Sequence, residues 1–288
     1  MMPTPLPAVK PTEPHAGSQT ADPAGRRELT AAPLTGIVDT HFHAFALTTA
    51  GAPGSRYVPA YAAPIESWEA AVAPHGISHG VLVQPSFLGT DNSHLLQVLA
   101  NRPAQLRGVA VIGADFAVSD LRRMDALGVC GIRLNLVGTD HRIGEELHPL
   151  FDQLEALSWH LQIHTDHGRL AEVLRQLPES LTVVVDHFGK PAVPSEVSGL
   201  VAGQHDRLYV KLSAPYRLAA GCGAEDLAAR WLDRVGPMRL VWGSDWPCTA
   251  HEPAQTTSVS PAWLAQWLAS DTMTEVVLTD NALSLYGF

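Results

Sequence analysis

Short, uninterrupted apolar runs recur along the chain from Gly36 onward, and a stretch with helical spacing follows each of them. Apolar residues in a continuous run, rather than in alternation, are typical of parallel strands that are covered on both faces. The pattern predicts eight strands, at Gly36–His41, Gly80–Gln84, Leu106–Ile112, Gly131–Leu136, Leu161–Thr165, Leu181–His187, Leu208–Ser213 and Leu240–Asp245.

Between and after these runs, apolar residues recur at intervals of three and four, which predicts amphipathic helices. The predicted helices are Glu66–His75, Asp91–Asn101, Ser119–Leu127, Leu147–Ser158, Leu170–Leu177, Glu225–Val235, Trp263–Ala269 and Met273–Tyr286. Eight strands in alternation with helices are the count of a closed (β/α)₈ barrel, a fold of the α/β class. An open doubly wound sheet is the alternative, but no glycine-rich phosphate-binding loop follows the first strand.

The chain divides into a tail and one domain. Residues 1–33 are rich in Pro and Ala and lack a hydrophobic period, which predicts a flexible tail. Residues 34–288 are predicted to form a single catalytic barrel domain. The long segment between Phe42 and Glu66 is predicted to be a loop over the mouth of the barrel.

Composition narrows the classes of partner. The 288 residues include 29 acidic and 19 basic side chains, for a formal net charge of −10. This balance argues against a broad surface for nucleic acid or for an anionic membrane. A small anionic substrate stays compatible with it, because a pocket needs only a few local cations. No apolar run approaches the roughly 20 residues that cross a bilayer.

Cysteine usage bears on the compartment. The three cysteines are odd in number and form no Cys-x-x-Cys pair, so we expect neither a disulfide framework nor a thiolate zinc site. A reducing, cytoplasmic environment is favoured. No interface pattern stands out, and whether the chain forms a homo-oligomer stays open.

Polar residues gather where the predicted strands end. His41 and His43 lie two residues apart at the end of the first strand, so alternation places both on one side. His164, His187 and Asp245 end the fifth, sixth and eighth strands. In barrels of this kind the active site is built at the carboxyl ends of several strands. We therefore expect these side chains to converge.

Imidazole and carboxylate groups are ligands for Zn²⁺ or a similar divalent ion. His41 and His43, with a third imidazole from across the barrel, would leave coordination space for a water whose pKa falls from 15.7 to about 7. Asp245 is then the predicted general base, or a ligand that also accepts a proton. His187 is predicted to polarise a substrate carbonyl or to hydrogen-bond the water. A metal-free mechanism, in which Asp245 alone activates water, stays open.

Five motifs in order resemble the amidohydrolase superfamily: VDTHFH, GIRLNL, VVDHFGKP, YVKLS and WGSDWP. More narrowly, they resemble the amidohydrolase 2 branch, which includes lactonases of the pyrone-dicarboxylate and sulfomuconolactone type. The resemblance extends over Gly36 to Phe288. It implies a (β/α)₈ barrel and hydrolysis of lactones, and related members of the branch decarboxylate aromatic-type acids.

Residue by residue, the resemblance implies that His41, His43, His187 and Asp245 belong to the active site. His164 stands where the metal-free pyrone-dicarboxylate lactonase has a tyrosine. A histidine there restores the strand-five ligand of metal-dependent members. The implied metal ligands are therefore His41, His43, His164 and Asp245, with one divalent ion, zinc by preference. The same departure weakens the case for the pyrone dicarboxylate itself as the substrate.

The resemblance also implies a set of substrate-binding cations. Arg133 matches an arginine that binds a substrate carboxylate, Lys190 stands in place of another arginine, and Arg217 falls near a third. Arginine grips carboxylate or sulfonate groups with paired hydrogen bonds. An ordinary salt bridge for Arg133, and a solvated surface position for Lys190 and Arg217, are the structural alternatives.

Together these features predict a hydrolase, a lactonase that opens the ring of a small anionic organic acid. Two alternatives are a metal-dependent decarboxylase of the same family, which would share the ligand set, and a non-catalytic barrel that only binds a partner. Asp39 is expected to brace the first strand rather than to act in the chemistry.

Overall fold

The structure is a computed structural model and describes residues 36–47, 51–200 and 207–288. Eight parallel strands form one sheet in sequence order, which confirms the predicted barrel class. They are β1 (Ile37–Phe42), β2 (Ile77–Val83), β3 (Leu106–Ala110), β4 (Val129–Asn135), β5 (His160–His164), β6 (Val183–Val185), β7 (Leu208–Ser213) and β8 (Leu240–Gly243). The predicted tail, residues 1–33, lies outside the described residues.

Helices connect the strands and cover the outside of the sheet. They are α1 (Ile65–Val72), α2 (Ser93–Asn101), α3 (Val118–Ala126), α4 (His148–Leu157), α5 (Leu170–Leu174), α6 (Ser195–Gly199), α7 (Ala224–Val235), α8 (Gln255–Ser258), α9 (Ala262–Leu268), α10 (Asp271–Glu275) and α11 (Asn281–Tyr286). A π-helical turn, Val276–Asp280, joins the last two. The apolar pattern predicted neither α6, a one-turn helix that buries only Val197, nor the four-residue helix α8.

Helix α7 shows why the spacing rule works here. Its buried residues Leu227, Ala228 and Trp231 recur at intervals of one and three, so they share one face. The indole of Trp231 also donates to the carbonyl of Phe188 at 2.9 Å, beyond the end of β6. The helix is thereby attached to the segment that carries the predicted catalytic histidine.

The ends of β1 and β8 close the barrel beyond the last residue of β8. The backbone N–H of Asp245 donates to the carbonyl of His41 at 2.8 Å, and that of His43 donates to the carbonyl of Trp246 at 2.7 Å. Because these four residues include three predicted site residues, the contact that closes the sheet also sets their relative positions.

A separate apolar cluster lies among alternate residues of β1, β2, β3 and β8 and is completed by α11. Its members include Val38, Val83, Val241 and Tyr286. Farther along the strands the buried residues become polar, and Gln162 and Lys211 are completely buried. The change from an apolar to a polar buried layer places the candidate chemistry at the carboxyl ends of the strands.

Candidate active site and metal centre

Three side chains converge at the carboxyl ends of β1 and β8. Nε2 of His41 lies 3.5 Å from Oδ1 of Asp245, and Nε2 of His43 lies 3.6 Å from the same oxygen. All three residues are at most 4% exposed. One ligand atom from each residue falls within 4.8 Å of the others, a spacing that suits a shared cation. The structure thus brings together three of the four predicted metal ligands.

Polar contacts at the other ring nitrogens orient the two imidazoles. Nδ1 of His43 lies 2.7 Å from the carbonyl oxygen of Val83, which can only accept, so this nitrogen carries the proton. Nδ1 of His41 lies 3.2 Å from Oδ1 of Asp186. The ring of His43 therefore directs an Nε2 lone pair toward Asp245, whereas Nδ1 of His41 lies between Oδ1 of Asp186 and the ammonium group of Lys211, which is 3.4 Å away. A histidine ligand whose second nitrogen donates to a carbonyl or carboxylate is the usual arrangement in metal sites.

The second oxygen of Asp245 is held by donors from the segment after β7. Oδ2 accepts from Nε of Arg217 and from the hydroxyl of Tyr216, each at 2.7 Å. Burial alone would raise the pKa of Asp245, but Arg217 and then His187 outweigh it, so the pKa lies well below its usual value. The carboxylate is ionised, and only Oδ1 faces the histidines.

A second carboxylate, Asp186, lies at the end of β6 and links several site residues. Its Oδ2 accepts from Nε of Arg133 at 3.0 Å, and Nη2 of Arg133 lies 2.9 Å from the same oxygen. Burial opposes ionisation, but contacts with His41 and Arg133 outweigh it and hold the pKa of Asp186 well below its usual value. Asp186 therefore provides the buried negative charge that pairs with Arg133 and orients His41.

The ammonium group of Lys211 lies beneath this pair. It donates to the carbonyl of Thr40 at 2.8 Å and to Oε1 of Gln162 at 2.7 Å, and it lies 3.9 Å from Oδ1 of Asp186. Burial lowers the pKa of Lys211 to about 8, although Asp186 opposes the shift. A buried cation is costly unless it is paired, so this lysine and Asp186 compensate each other.

Unusual backbone conformations occur at the two predicted catalytic residues. His187 and Asp245 have φ values of +52° and +57°, in the left-handed region that side chains rarely adopt. Such positions persist only where the surrounding structure holds them, and they cluster at functional sites. Gly243 precedes this turn, and a Cβ there would lie 2.6 Å from Cβ of His41. Only glycine lets β8 approach β1 so closely.

Asp39 confirms the expectation of a bracing role. Its carboxylate accepts from the indole of Trp68 at 2.9 Å and from the hydroxyl of Ser244 at 2.6 Å. The pairing of β1 with β2 shifts register between Asp39 and Phe42. This irregularity explains why Asp39 contacts α1 while His41, two residues later, belongs to the site.

A cavity of about 230 Å³ opens above these groups. Its walls include the predicted residues His43, Arg133, His164, His187, Arg217 and Asp245, together with Arg56 and Tyr57 from the loop after β1. That loop was predicted to lie over the barrel mouth, and its described part does so. His41 is fully buried and lies below the cavity wall.

The predicted cations have different positions. Arg217 and Arg133 are both paired with internal carboxylates. For Arg133 this is the ordinary salt bridge that was the alternative to substrate binding. Lys190 is 7% exposed and is not among the residues that line the cavity. Burial lowers its pKa to about 8, Asp166 opposes the shift, and Arg217, Arg56 and Arg133 add to it. Lys190 therefore lies close enough to interact electrostatically with the three arginines.

His164 is positioned differently from the other predicted ligands. Its Nδ1 lies 3.0 Å from Nη2 of Arg133, and its ring packs edge-on against His187, with centroids 5.1 Å apart. Two groups of potential ligands occur among the described residues, one of His41, His43 and Asp245 and one of His41, Asp186 and His187, and His164 belongs to neither. His187 has Nδ1 2.9 Å from the hydroxyl of Ser213 and Nε2 3.9 Å from Oδ1 of Asp245.

The converging residues suit a metal ion. Nε2 of His41 is buried and has no hydrogen-bond partner in the described part of the chain. Two imidazole nitrogens and one carboxylate oxygen are a donor set that Zn²⁺ takes, and three protein ligands leave a position for water or substrate. The site can therefore hold a divalent ion through His41, His43 and Asp245.

Several residues in this site had no assigned function before the structure. Asp186 and Lys211 lie inside the motifs VVDHFGKP and YVKLS, and a lone lysine in an apolar strand is a signal of a buried ion pair. Tyr216 and Arg56 lie in loops, where local pattern gives no indication of which side chains reach the cavity.

Comparison with known proteins identifies the family of the chain. The amidohydrolase family model matches residues 38–288, so the chain belongs to the amidohydrolase family. It is 28% identical to 4-sulfomuconolactone hydrolase of Hydrogenophaga intermedia over 279 residues, which is 88% of this chain and 89% of that protein. It is also 28% identical to the 2-pyrone-4,6-dicarboxylate hydrolase of Comamonas testosteroni over 280 residues, with 87% and 90% covered.

A solved structure shows the same relationship. A Pseudomonas putida protein assigned as a 2-pyrone-4,6-dicarboxylic acid hydrolase matches with a TM-score of 0.78 and 34% identity, covering 88% of this chain and 97% of that one. These relatives confirm the predicted class, an enzyme of the amidohydrolase family that opens lactone rings by hydrolysis. Among the described helices, none is long and apolar enough to cross a membrane.

Proposed function

We propose that this enzyme hydrolyses the ring ester of a small lactone that carries at least one fixed negative group. The observation that carries the proposal is the position of Oδ1 of Asp245, which faces His41 and His43 at the base of a cavity whose walls include Arg56, Arg133 and Arg217. A base beneath a cationic cavity suits an anionic ester. The two curated relatives are named for such lactones.

His41, His43 and Asp245 are the residues that would hold the metal, with zinc the preferred ion for this donor set. When bound, a divalent ion supplies Lewis-acid polarisation and lowers the pKa of water. In this proposal His164 is not needed as a ligand, because Arg133 already contacts its Nδ1.

Asp245 acts as the general base. Its Oδ1 accepts a proton from water while the water oxygen forms a bond to the lactone carbonyl carbon. Arg217 and Tyr216 keep the carboxylate in place through Oδ2. Because Oδ1 has two lone pairs, it can face a bound ion with one of them and receive the proton with the other. The bond between the carbonyl carbon and the ring oxygen then breaks, and Asp245 returns its proton to the leaving ring oxygen. The new carboxylic acid ionises, which releases one proton per ring opened.

His187 stabilises the reacting oxygen in this scheme. The hydroxyl of Ser213 orients its ring, and its Nε2 lies near Oδ1 of Asp245 at the cavity wall. Burial is the main cause that lowers the pKa of His187 well below its ordinary value, so the ring is neutral. A neutral imidazole with Nε2–H would donate to the oxygen that becomes negative as water adds to the carbonyl.

Arg56, Arg133, Lys190 and Arg217 provide the positive field for the fixed anionic group. Arg133 and Arg217 each retain donors beyond those used by their carboxylates, since a guanidinium has five. Binding of an anion here would offset the mutual repulsion of these cations, and this favours charged over neutral lactones.

The test is a panel of lactones followed with a pH indicator, using metal-quantified protein. We expect turnover of 4-sulfomuconolactone or 2-pyrone-4,6-dicarboxylate with one proton released per ring opened, and much slower turnover of an uncharged lactone of similar size. Release of CO₂ would instead show the alternative decarboxylase. Absence of turnover with every charged lactone would contradict the proposal.

A further inference from the structure

The contact between Arg133 and His164 determines which nitrogen of the imidazole carries the proton. Nη2 of Arg133 lies 3.0 Å from Nδ1 of His164. A guanidinium group has donors and no acceptor, so Nδ1 must accept with its lone pair. A ring whose Nδ1 accepts has no proton on that nitrogen. Its single proton is therefore on Nε2.

That Nε2–H group has no partner inside the described protein. Nε2 is buried and makes no hydrogen bond among the described residues, while His164 is one of the residues that line the cavity. A buried donor without an acceptor costs free energy, and a donor beside a ligand cavity recovers that energy when a ligand supplies an oxygen.

The position of Arg133 is itself determined by Asp186. Nε of Arg133 donates to Oδ2 of Asp186 at 3.0 Å, and Nη2 lies 2.9 Å from the same oxygen. Arg133 is 4% exposed and Asp186 is 1% exposed. A guanidinium held by a buried carboxylate cannot leave Nδ1 of His164 without breaking that pair. Asp186 therefore holds Arg133 in place, and Arg133 in turn fixes the tautomer of His164.

We propose that His164 is a hydrogen-bond donor to an oxygen of the bound lactone, through Nε2–H, and not a metal ligand. Arg133 is the positioning residue that sets this tautomer. The substrate in this proposal rests on the proposed lactonase function, whereas the tautomer of His164 does not. It assigns different functions to two histidines of the site: His43 presents a lone pair, and His164 presents a proton.

The first experiment reads the tautomer directly. Full-length protein with ¹⁵N-labelled histidine is examined by long-range ¹H–¹⁵N spectroscopy, and the His164 signals are identified by their loss in His164→Gln. We expect the Nε2–H form, unchanged when Zn²⁺ is added. In Arg133→Met we expect the Nδ1–H form to appear. A deprotonated Nε2 whose signal shifts on Zn²⁺ binding would overturn the proposal.

The second experiment separates a donor from a ligand. The amide of glutamine can place an N–H near the position of Nε2, whereas methionine cannot donate. We expect His164→Gln and His164→Met to bind Zn²⁺ as wild-type does, within about threefold in affinity, while His43→Gln loses the metal. His75→Gln, at the opposite end of the barrel, is the matched control. Loss of Zn²⁺ from both His164 variants would show that His164 is a ligand.

Kinetics with 4-sulfomuconolactone or 2-pyrone-4,6-dicarboxylate complete the test. Loss of one neutral hydrogen bond predicts about a tenfold decrease in kcat/KM for His164→Met, with most of it restored in His164→Gln. Equal activity of His164→Met and wild-type would refute a donor. If wild-type opens no lactone, the proposed function fails, while the tautomer and the metal measurements still decide the assignment of His164.

Discussion

Arg217 and Asp245 form a partly buried ion pair in which Nε of the guanidinium donates to Oδ2 of the carboxylate at 2.7 Å. Nη2 of Arg217 also donates to the carbonyl of Thr249 at 2.8 Å, so the arginine is held at two points. The consequence is that one carboxylate oxygen is used for structure and the other is left for chemistry.

Replacement of Asp245 by asparagine keeps the shape of the side chain and removes the base. We expect kcat to fall by about 10³-fold, within the range that general bases contribute, while the far-UV circular dichroism spectrum is unchanged. Asp226→Asn, in an exposed ion pair with Arg230 on α7, is the control. Turnover of Asp245→Asn near the wild-type rate would rule out the general-base assignment.

Asp186→Asn tests the orientation of His41. The amide retains an oxygen but loses the charge that pairs with Arg133 and lies 3.2 Å from Nδ1 of His41. Removal of such a partner weakens metal binding about 10–100-fold. The measurement is competition for Zn²⁺ with a chromogenic chelator, with Asp120→Asn on α3 as the control. An unchanged Zn²⁺ affinity would mean that Asp186 does not orient the ligand.

Lys190 predicts a pH dependence of substrate binding. Its pKa is about 8 in the folded protein against 10.5 for an exposed lysine, so the ammonium charge is lost as the pH rises through 8. We expect KM for an anionic lactone to increase above pH 8 and this increase to disappear in Lys190→Arg, which stays charged. The free energy of unfolding should rise over the same interval, because the unfolded chain binds the proton more tightly. A pH-independent KM from 7 to 9.5 would contradict the prediction.

Arg56 is the cation that local pattern did not identify. It lines the cavity from the loop after β1 and donates to the carbonyl of Val137 through Nη1. We expect Arg56→Met to raise KM for a charged lactone about tenfold and to leave kcat within twofold, because Arg56 does not contact Asp245 or the histidines. Arg122→Met on α3 is the control. A loss confined to kcat would show that Arg56 acts on the chemical step instead.

Asp39→Ala tests the closure of the barrel rather than catalysis. The change leaves the indole of Trp68 and the backbone N–H of Ser244 without their acceptor. Unpaired buried donors of this kind predict a loss of roughly 3–5 kcal/mol in the free energy of unfolding. Asp125→Ala removes a similar bond to Trp159, but at an exposed carboxylate, and should cost about 1 kcal/mol. Urea denaturation compares them, and equal losses would show that Asp39 has no special role in closure.

The local pattern predicted the class of fold and the ends at which the polar residues lie. Continuous apolar runs and helical spacing depend on neighbours within a few residues, so β1 to β8 and most helices are visible along the chain. Helix α6 was not predicted because a single buried valine does not produce a helical period of apolar residues. The pairing of His41 with His43 was equally local, since two residues apart on a strand means one face.

The sequence by itself therefore determined a (β/α)₈ barrel with histidines and an aspartate at the carboxyl ends of its strands. Only the tertiary structure decided which atoms meet, because Arg133 and Asp186 are separated by 53 residues and Arg217 and Asp245 by 28. Spacing along the chain cannot specify such distances. These distances depend on how the strands close into the barrel. The same closure decides which imidazole presents a lone pair and which presents a proton.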